Sequence, residues 1–495
     1  MSDLSFLLKE IHTLTFVNPF GSQRDEIEER ILKQLGVAEV SGPVNPIFTK
    51  EFNQVLYWVD QAEKFLLGGM VKNFDFTVRA EQIASLAYFS LYHKLVDDID
   101  SLINSVEGDT VFNRQLFKKI ERGIKQRSPL VCGGRSAMWE NPEHLFSCFY
   151  QLRRAFLCLF NEIVGWSEPI RALRVRVWES IFTKDMHSYQ QWMHESVGRF
   201  PTLILGPTGS GKEIVARAIG LSRFIPYNSK NGQFESSPKE SFCPVNLSAL
   251  TETLIESELF GHRKGSFTGA MRDHAGIFKK AGQYGTVFLD EIGEVPESIQ
   301  VKLLRILQSG EFQAIGGDAP SFYEGKIIAA THRDLGEQVR NGGMREDFFY
   351  RLCGDQVQTV SLREILDDSP QEIDLLISFI CKKLFGEKGG AELDKRIFRI
   401  LQDVIPDNYD WPGNFRELEQ AVRNVVVTGE YYPSKLIKKR DEISDYYRKT
   451  NITMDQWISL YAQKAYEDVG SYREAGKRIG VDQRTLKKWA LLFNK

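Results

Sequence analysis

The sequence has few features that would place it outside the cell, in a membrane or on nucleic acid as a whole. Its six cysteines, Cys132, Cys148, Cys158, Cys243, Cys353 and Cys381, form no Cys-x-x-Cys pair, and its eight histidines make no ligand spacing with them. Neither a disulfide framework nor a structural zinc is expected, and the pattern fits free thiols in a reducing cytoplasm. The most apolar stretch, Ala155 to Val164, is about ten residues long and includes Asn161 and Glu162, whereas a membrane span needs about 20. MSDLSFLLKEIH has no basic region ahead of its short apolar stretch, which argues against a secretory signal. A net charge of −3 gives no general attraction to nucleic acid, so a basic module has to be sought locally. The 42% hydrophobic and 26% charged fractions are ordinary globular values and exclude bulk disorder. At 495 residues the chain exceeds one hydrophobic core and predicts about three domains.

Residues 1–170 read as mostly helical. Apolar residues at 83, 86, 89, 95, 99 and 102 mark one helical face, and Leu145 to Val164 repeats the habit with Phe146, Phe149, Phe156, Phe160 and Ile163. Such aromatic stripes are core faces. Asp97, Asp98 and Asp100 read as a solvated helix face in preference to a metal site. No regular strand–helix alternation occurs here, which speaks against a receiver domain. From 171 to 360 short apolar runs, Thr202–Leu205, Thr286–Leu289 and Lys326–Ala330, alternate with helical patterns, as in a parallel α/β sheet. Residues 361–430 return to helix, 431–452 read as a polar linker, and 453–495 as a small helical module.

Gly206-Pro207-Thr208-Gly209-Ser210-Gly211-Lys212 follows the strand TLIL and precedes the helical pattern EIVARAIG. This is the setting of a P-loop: glycines turn backbone N–H groups toward phosphates, and the helix N-terminus and Lys212 add positive charge. Glu213 stands where a Ser or Thr for magnesium is usual. Some seventy residues on, Thr286-Val287-Phe288-Leu289-Asp290-Glu291 ends an apolar strand in two carboxylates. The first can hold Mg²⁺ through water and the second can polarise the attacking water. Together the two segments point to ATP hydrolysis.

With these motifs in place, residues 200–430 resemble the AAA+ domain of sigma-54-dependent transcription activators, the bacterial enhancer-binding proteins. That family carries Gly-Lys-Glu at its P-loop, so Glu213 fits it. IESELFGHRKGSFTGA is similar to its signature, and Gly265-Ser266-Phe267-Thr268-Gly269-Ala270 differs from GAFTGA by Ser266 alone. The resemblance implies that this glycine-flanked loop contacts sigma-54 and moves with nucleotide state. It implies that Asn246 restrains Glu291, that Thr331 and His332 form sensor I, and that Arg345 and Arg351 act on a neighbouring subunit's ATP. Arg416, in WPGNFRELEQAV, corresponds to sensor II. Two departures stand out: a polar insertion from Ser222 to Phe242, and Ala314 where a basic residue is common.

The C-terminal module resembles the Fis-like helix-turn-helix of the same family. Tyr472 to Gly480 gives a helix and a turn, and Asp482 can cap a second helix, Gln483 to Leu491. From Ser471 to Lys495 seven Lys/Arg face two Asp/Glu, a net +5. Gln483, Arg484, Thr485, Lys487 and Lys488 are the candidates for groove and phosphate contacts.

The expected protein is multidomain: a mostly helical N-terminal domain that senses an unknown ligand or protein, an α/β P-loop AAA+ core with a helical lid, and a small all-α DNA-binding domain. The resemblance implies a cytoplasmic ATPase using ATP and magnesium, assembled as a ring, a hexamer in the family's manner, and acting on sigma-54 RNA polymerase from upstream double-stranded DNA. The competing readings are an AAA+-fold DNA-binding regulator that works without sigma-54, and an unfoldase or DNA-handling ATPase.

Overall fold

The computed structural model describes residues 2–34, 50–68, 79–105, 109–131, 137–238, 241–406, 409–431, 433 and 454–490. Most of the 431–452 segment, Cys132, Thr453 and Leu491 lie outside the described residues. Met1–Tyr431 form one compact unit and Tyr432–Lys495 a second.

The first unit opens with helices α1 (Ser2–Phe16), α2 (Ser22–Gln34), α3 (Lys50–Leu67), α4 (Ala80–Asn104), α5 (Thr110–Val131), α6 (Pro142–Glu162) and α7 (Glu168–Phe182). The aromatic stripe is core: Phe146 and Phe149 are fully buried on α6, and Ile83, Leu86 and Ile99 are on α4. Asn141 starts α6 by accepting from the His144 N–H at 3.0 Å, with Pro142 in the first turn. Two of the three acids of the run on α4 form ion pairs, Asp98 with Lys119 and Asp100 with Arg153, and Asp97 is exposed.

A five-stranded, all-parallel sheet follows, made of β1 (Thr202–Leu205), β2 (Phe242–Asn246), β3 (Thr286–Asp290), β4 (Lys326–Thr331) and β5 (Asp355–Gln358). The spatial order is β5-β1-β4-β3-β2, with Leu203 beside Ala329 and Ala330 beside Asp290. The central strands are apolar throughout because both faces are covered. One face packs Leu203, Val287, Leu289 and Ala329 against α9 (Glu252–Phe260) and α10 (Glu297–Ser309). The other, with Ile204, Phe288, Ile328 and Val357, shares a single core with the N-terminal helices. β5 reads DQVQ, too polar to be seen as a strand in the sequence; at the sheet edge only Val357 needs burial.

Three contacts tie the helical region to the sheet, the inserted hairpin and the helices that follow. α7, whose first turn contains the boundary expected at 170, lays Arg176 and Ser180 on the Asp355 carboxylate, which also accepts from Thr202 Oγ1 at 2.8 Å. The Ser222–Phe242 insertion folds as a hairpin, Tyr227–Asn228 against Gln233–Phe234, whose Phe234 ring stacks on Tyr150 at 4.3 Å. Its Tyr227 N–H donates to Ser147 Oγ at 2.8 Å, and Arg114 donates to Lys230 and Asn231 carbonyls. The buried Glu372 carboxylate accepts from the backbone N–H groups of Trp166 and Ser167.

Glu372 opens α13 (Glu372–Val404), which is interrupted at Gly386 (φ 75°). With α12 (Leu362–Asp368) and α14 (Asn414–Thr428) it encloses a separate core around Leu362, Trp411 and Leu418. Ser361 and Glu364 form a reciprocal cap at the start of α12.

In the second unit, a helix from Met454 to Val469 packs with Tyr472–Ile479 and Gln483–Ala490 around Ala462, Ala475, Leu486 and Ala490. Gly480 (φ 79°) ends one short helix, and Asp482 starts the next by accepting from the Arg484 and Thr485 N–H groups at 2.9 and 3.1 Å. A side chain at Gly476 would place its Cβ 2.7 Å from the Val481 carbonyl, so the turn needs glycine there.

Candidate nucleotide site and contact loop

The P-loop bridges β1 and α8 (Lys212–Gly220), as the sequence requires. Its shape is held from two sides. Thr359, just past β5, donates its N–H to Leu205 O at 2.8 Å and places its hydroxyl 2.6 Å from Ser210 Oγ. A Cβ on Gly206 would sit 1.9 Å from Thr359 Oγ1, and one on Gly209 would sit 2.3 Å from Gly413 O. Asn414, at the left-handed φ of 51°, donates to Thr208 O at 2.9 Å and accepts from Leu362 N–H at 3.0 Å. The neighbouring Phe415 N–H donates to Gly209 O at 3.1 Å. The lid is therefore bonded directly to the phosphate loop. Neither Thr359 nor Asn414 was singled out from the sequence, although Asn414 lies two residues before Arg416 in a string that was.

Lys212 is buried, and its ammonium donates to the Gly206 and Pro207 carbonyls at 3.0 and 3.1 Å. Burial lowers its pKa, while Glu291 and Asp290 pull it back up. Asp290 shows the converse: burial raises its pKa, and Glu291 adds to the rise, with Glu213 contributing from the exposed first turn of α8. A carboxylate strained in this way is relieved by a cation, and a loop with no room for side chains is a cradle for phosphate. The residues present thus fit ATP with magnesium. The loop from Gly206 to Glu213 would hold the phosphates, and Asp290 would hold the metal.

Glu291 leaves β3 in the left-handed region (φ 56°), which turns its side chain to His332, with His332 Nδ1 2.8 Å from its carboxylate. The expected Asn246–Glu291 pairing differs here. Asn246 Nδ2 donates to Asp290 at 3.3 Å, because β2 and β3 pair with Asn246 directly beside Asp290, and Glu291 is bent away. Thr331 is buried beside this pair and accepts from the Arg333 N–H through Oγ1 at 3.1 Å.

The arginines lie apart. Arg416, exposed at the start of α14, is near enough to depress the Lys212 pKa. Arg345 is fixed by Asp347 at 2.9 Å and Glu297 at 3.4 Å, whereas Arg351 is exposed on α11 (Glu346–Leu352) with no ion pair among the described residues.

The segment from Gly265 to Ala270 sits on a short hairpin, Gly261–His262 against His274–Ala275. Gly265 N–H donates to Ala270 O at 2.8 Å and closes the loop. Thr268 and Gly269 are exposed. Phe267 is only half-exposed, since its ring meets His262 edge-on at 4.9 Å. A second hairpin, Glu311–Phe312 with Ser321–Phe322, carries Ala314 and joins the first through Arg263 N–H to Ile315 O at 3.0 Å and Ile315 N–H to Gly261 O at 2.9 Å. Ser266 packs on Gly316, where a side chain would approach its Cβ to 2.8 Å.

A five-stranded parallel sheet with a phosphate loop after β1, paired acids after β3 and a helical lid defines a P-loop ATPase of the AAA+ class. Residues 181–358 match the sigma-54 interaction domain, and over that region the chain is similar to sigma-54-dependent regulators. Over 230 residues it is 45% identical to the Nif-specific regulatory protein of Enterobacter agglomerans, covering 46% of this chain and 40% of that one. Over 296 residues it is 41% identical to the transcriptional regulatory protein ZraR of Escherichia coli (strain K12), covering 57% and 61%. The chain thus spans between two fifths and three fifths of the length of these relatives. A solved structure of NtrX from Brucella abortus superposes loosely, with a TM-score of 0.40 at 21% identity over 77% of this chain and 79% of that one. No helix among the described residues is long and apolar enough to cross a membrane.

Proposed function

We propose that the protein is a cytoplasmic, ATP-hydrolysing activator that binds upstream double-stranded DNA and opens sigma-54 promoters. The observation that carries the reading is the pairing, in one domain, of a phosphate loop and paired acids with a glycine-flanked loop that presents Thr268 and part of Phe267 away from them. Lys212 binds phosphate oxygens once it turns from the Gly206 and Pro207 carbonyls. Glu291 orients and deprotonates the attacking water when His332 releases its carboxylate. Magnesium supplies charge neutralisation at the phosphates, and Asp290 is placed to hold it. Arg416 adds charge from the lid. Arg351, without an ion pair among the described residues, is the stronger candidate for reaching a neighbouring subunit's site, with Arg345 held ready by Asp347. A site completed by a neighbour requires a ring, and a hexamer is the size the resemblance implies. Sequence domains follow the same plan: residues 1–170 sense a signal, 171–360 and 361–430 form the ATPase and lid, 431–452 link, and 453–495 bind DNA.

The second unit supports DNA binding by its exposed Gln483, Arg484, Lys487 and Lys488 on one short helix; Thr485 is partly engaged with Asp482. Promoter opening by sigma-54 RNA polymerase, measured with purified protein and ATP on a supercoiled template, is the test. Opening should depend on ATP hydrolysis, and deletion of residues 453–495 should abolish specific binding to its own promoter DNA while leaving turnover in place. ATP turnover with no opening at any sigma-54 promoter would favour the regulator that acts without sigma-54.

A further inference from the structure

The N-terminal helices form a half-open chamber of about 290 Å³ whose walls are rich in rings. Phe52, Phe89, Tyr92, His93, Phe156 and Trp178 line it, contributed by α3, α4, α6 and α7. His93 is the hub: its ring lies 4.3 Å from Phe89, 5.0 Å from Tyr92 and 5.3 Å from Phe52. Native cores of this size are normally filled, so an aromatic-lined space is the form a small-molecule site takes. An apolar cavity of about 150 Å³ already accepts benzene, so this one has room for a second ring. It adjoins a cleft of about 610 Å³, and Val17, Trp178 and Met186 line both.

Both cations of the chamber are paired, and its one further charge, Asp97, lies exposed at the rim. Arg24 reaches Glu28 at 2.6 Å and lies over the Phe52 ring, and Arg153 reaches Asp100 at 2.5 Å and lies over Phe156. Burial, with the two guanidinium charges behind it, pushes the His93 imidazole down to about 3, so it stays neutral at physiological pH. No unpaired charge remains on these groups to recognise an ionised ligand, and the guanidinium edges and the Tyr92 hydroxyl are donors suited to a neutral acceptor atom.

The wall on the α7 side leads to the ATPase. Trp178 faces the chamber, while Arg176 and Ser180 of the same helix hold Asp355 at the start of β5. β5 ends beside Thr359, whose hydroxyl lies 2.6 Å from Ser210 of the P-loop. We propose that this chamber binds an uncharged, planar aromatic molecule of one or two rings, and that occupancy is transmitted along α7 to the phosphate loop. The binding half stands apart from the sigma-54 reading.

Indole is a neutral two-ring probe for the full chain, and benzoate is its charged counterpart. Isothermal titration should give saturable binding of one indole per chain and at least about tenfold weaker binding of benzoate. Val96→Phe and Leu56→Phe each place a ring into the chamber from its half-buried wall and should each weaken indole at least about tenfold; either one that folds serves. Saturating indole should change ATP turnover at least about twofold in the parent. In Arg176→Gln it should bind with unchanged affinity and leave turnover where it was. No saturable indole binding, equal affinity for benzoate, or undiminished binding in the filled variants would overturn the site. Binding with unaltered turnover in the parent would overturn the transmission through α7.

Discussion

The P-loop and the Gly265–Ala270 loop are both glycine-rich, and their glycines are there for different reasons. At Gly206 and Gly209 a side chain would strike Thr359 or the Gly413 carbonyl, so glycine is required for space as well as for backbone angle. At Gly265 (φ 81°) and Gly269 (φ 102°) nothing lies within 4 Å of where a Cβ would be. The first loop is a mould set by its neighbours, and the second is an arm held at its base by the adjoining hairpin, whose Gly265 and Gly269 serve conformation alone. A rigid binding site and a transmitting element can therefore be told apart by what surrounds their glycines, where composition alone would group them.

The largest expected effects fall on the mould. Lys212→Ala should abolish ATP turnover and weaken nucleotide binding, read by titration of a fluorescent ATP analogue, because the one buried ammonium of the loop is lost. Normal binding by that variant would dissolve the contrast between the loops. Glu291→Gln should bind ATP normally and hydrolyse it at least about 100-fold more slowly; a single-turnover rate near the parent's would remove Glu291 from the chemistry. Arg351→Ala alone should turn over poorly, and mixing it with Glu291→Gln should restore part of the rate as mixed rings form. A rate independent of protein concentration would contradict a shared site.

The arm should behave oppositely. Thr268→Ala removes a hydroxyl and a methyl from an exposed position, so ATP turnover should stay within about twofold of the parent while promoter opening is lost. Both are to be measured on one preparation, and full opening by this variant would sink the sigma-54 reading. The smallest effect is expected from Gly265→Ala. With open space around it, the change should cost only the roughly 1 kcal/mol of a left-handed alanine and leave the melting temperature close to the parent's. A marked loss of turnover there would mean that this loop, too, is packed.

Motifs with a fixed local geometry were legible from the sequence. Gly206 to Lys212, Asp290-Glu291 and the glycine-flanked loop lie where strand and helix patterns put them, since those residues act through their immediate backbone. Long-range pairings were not. The Glu291–His332 contact depends on Glu291 adopting a positive φ, which no periodicity reveals. Thr359 and Asn414 act on a loop about 150 and 206 residues away in sequence, so their importance appears only when β5 and the lid are in place. The insertion at Ser222–Phe242 read as a polar excursion because its anchoring rings, Tyr227 and Phe234, follow no strand or helix period among polar residues; their packing comes from α6.

The Glu372 carboxylate bears on where the chain can be cut. A fragment begun at Arg171, the natural choice from the helix-to-sheet change in the sequence, would discard Trp166 and Ser167, whose N–H groups this buried acid accepts. It would remove the donors that hold this acid and would strip the shared apolar face from Ile204, Phe288 and Val357. An isolated ATPase fragment is therefore better begun ahead of α1 than ahead of β1, and insolubility of the short version would reflect that severed seam without bearing on the nucleotide site.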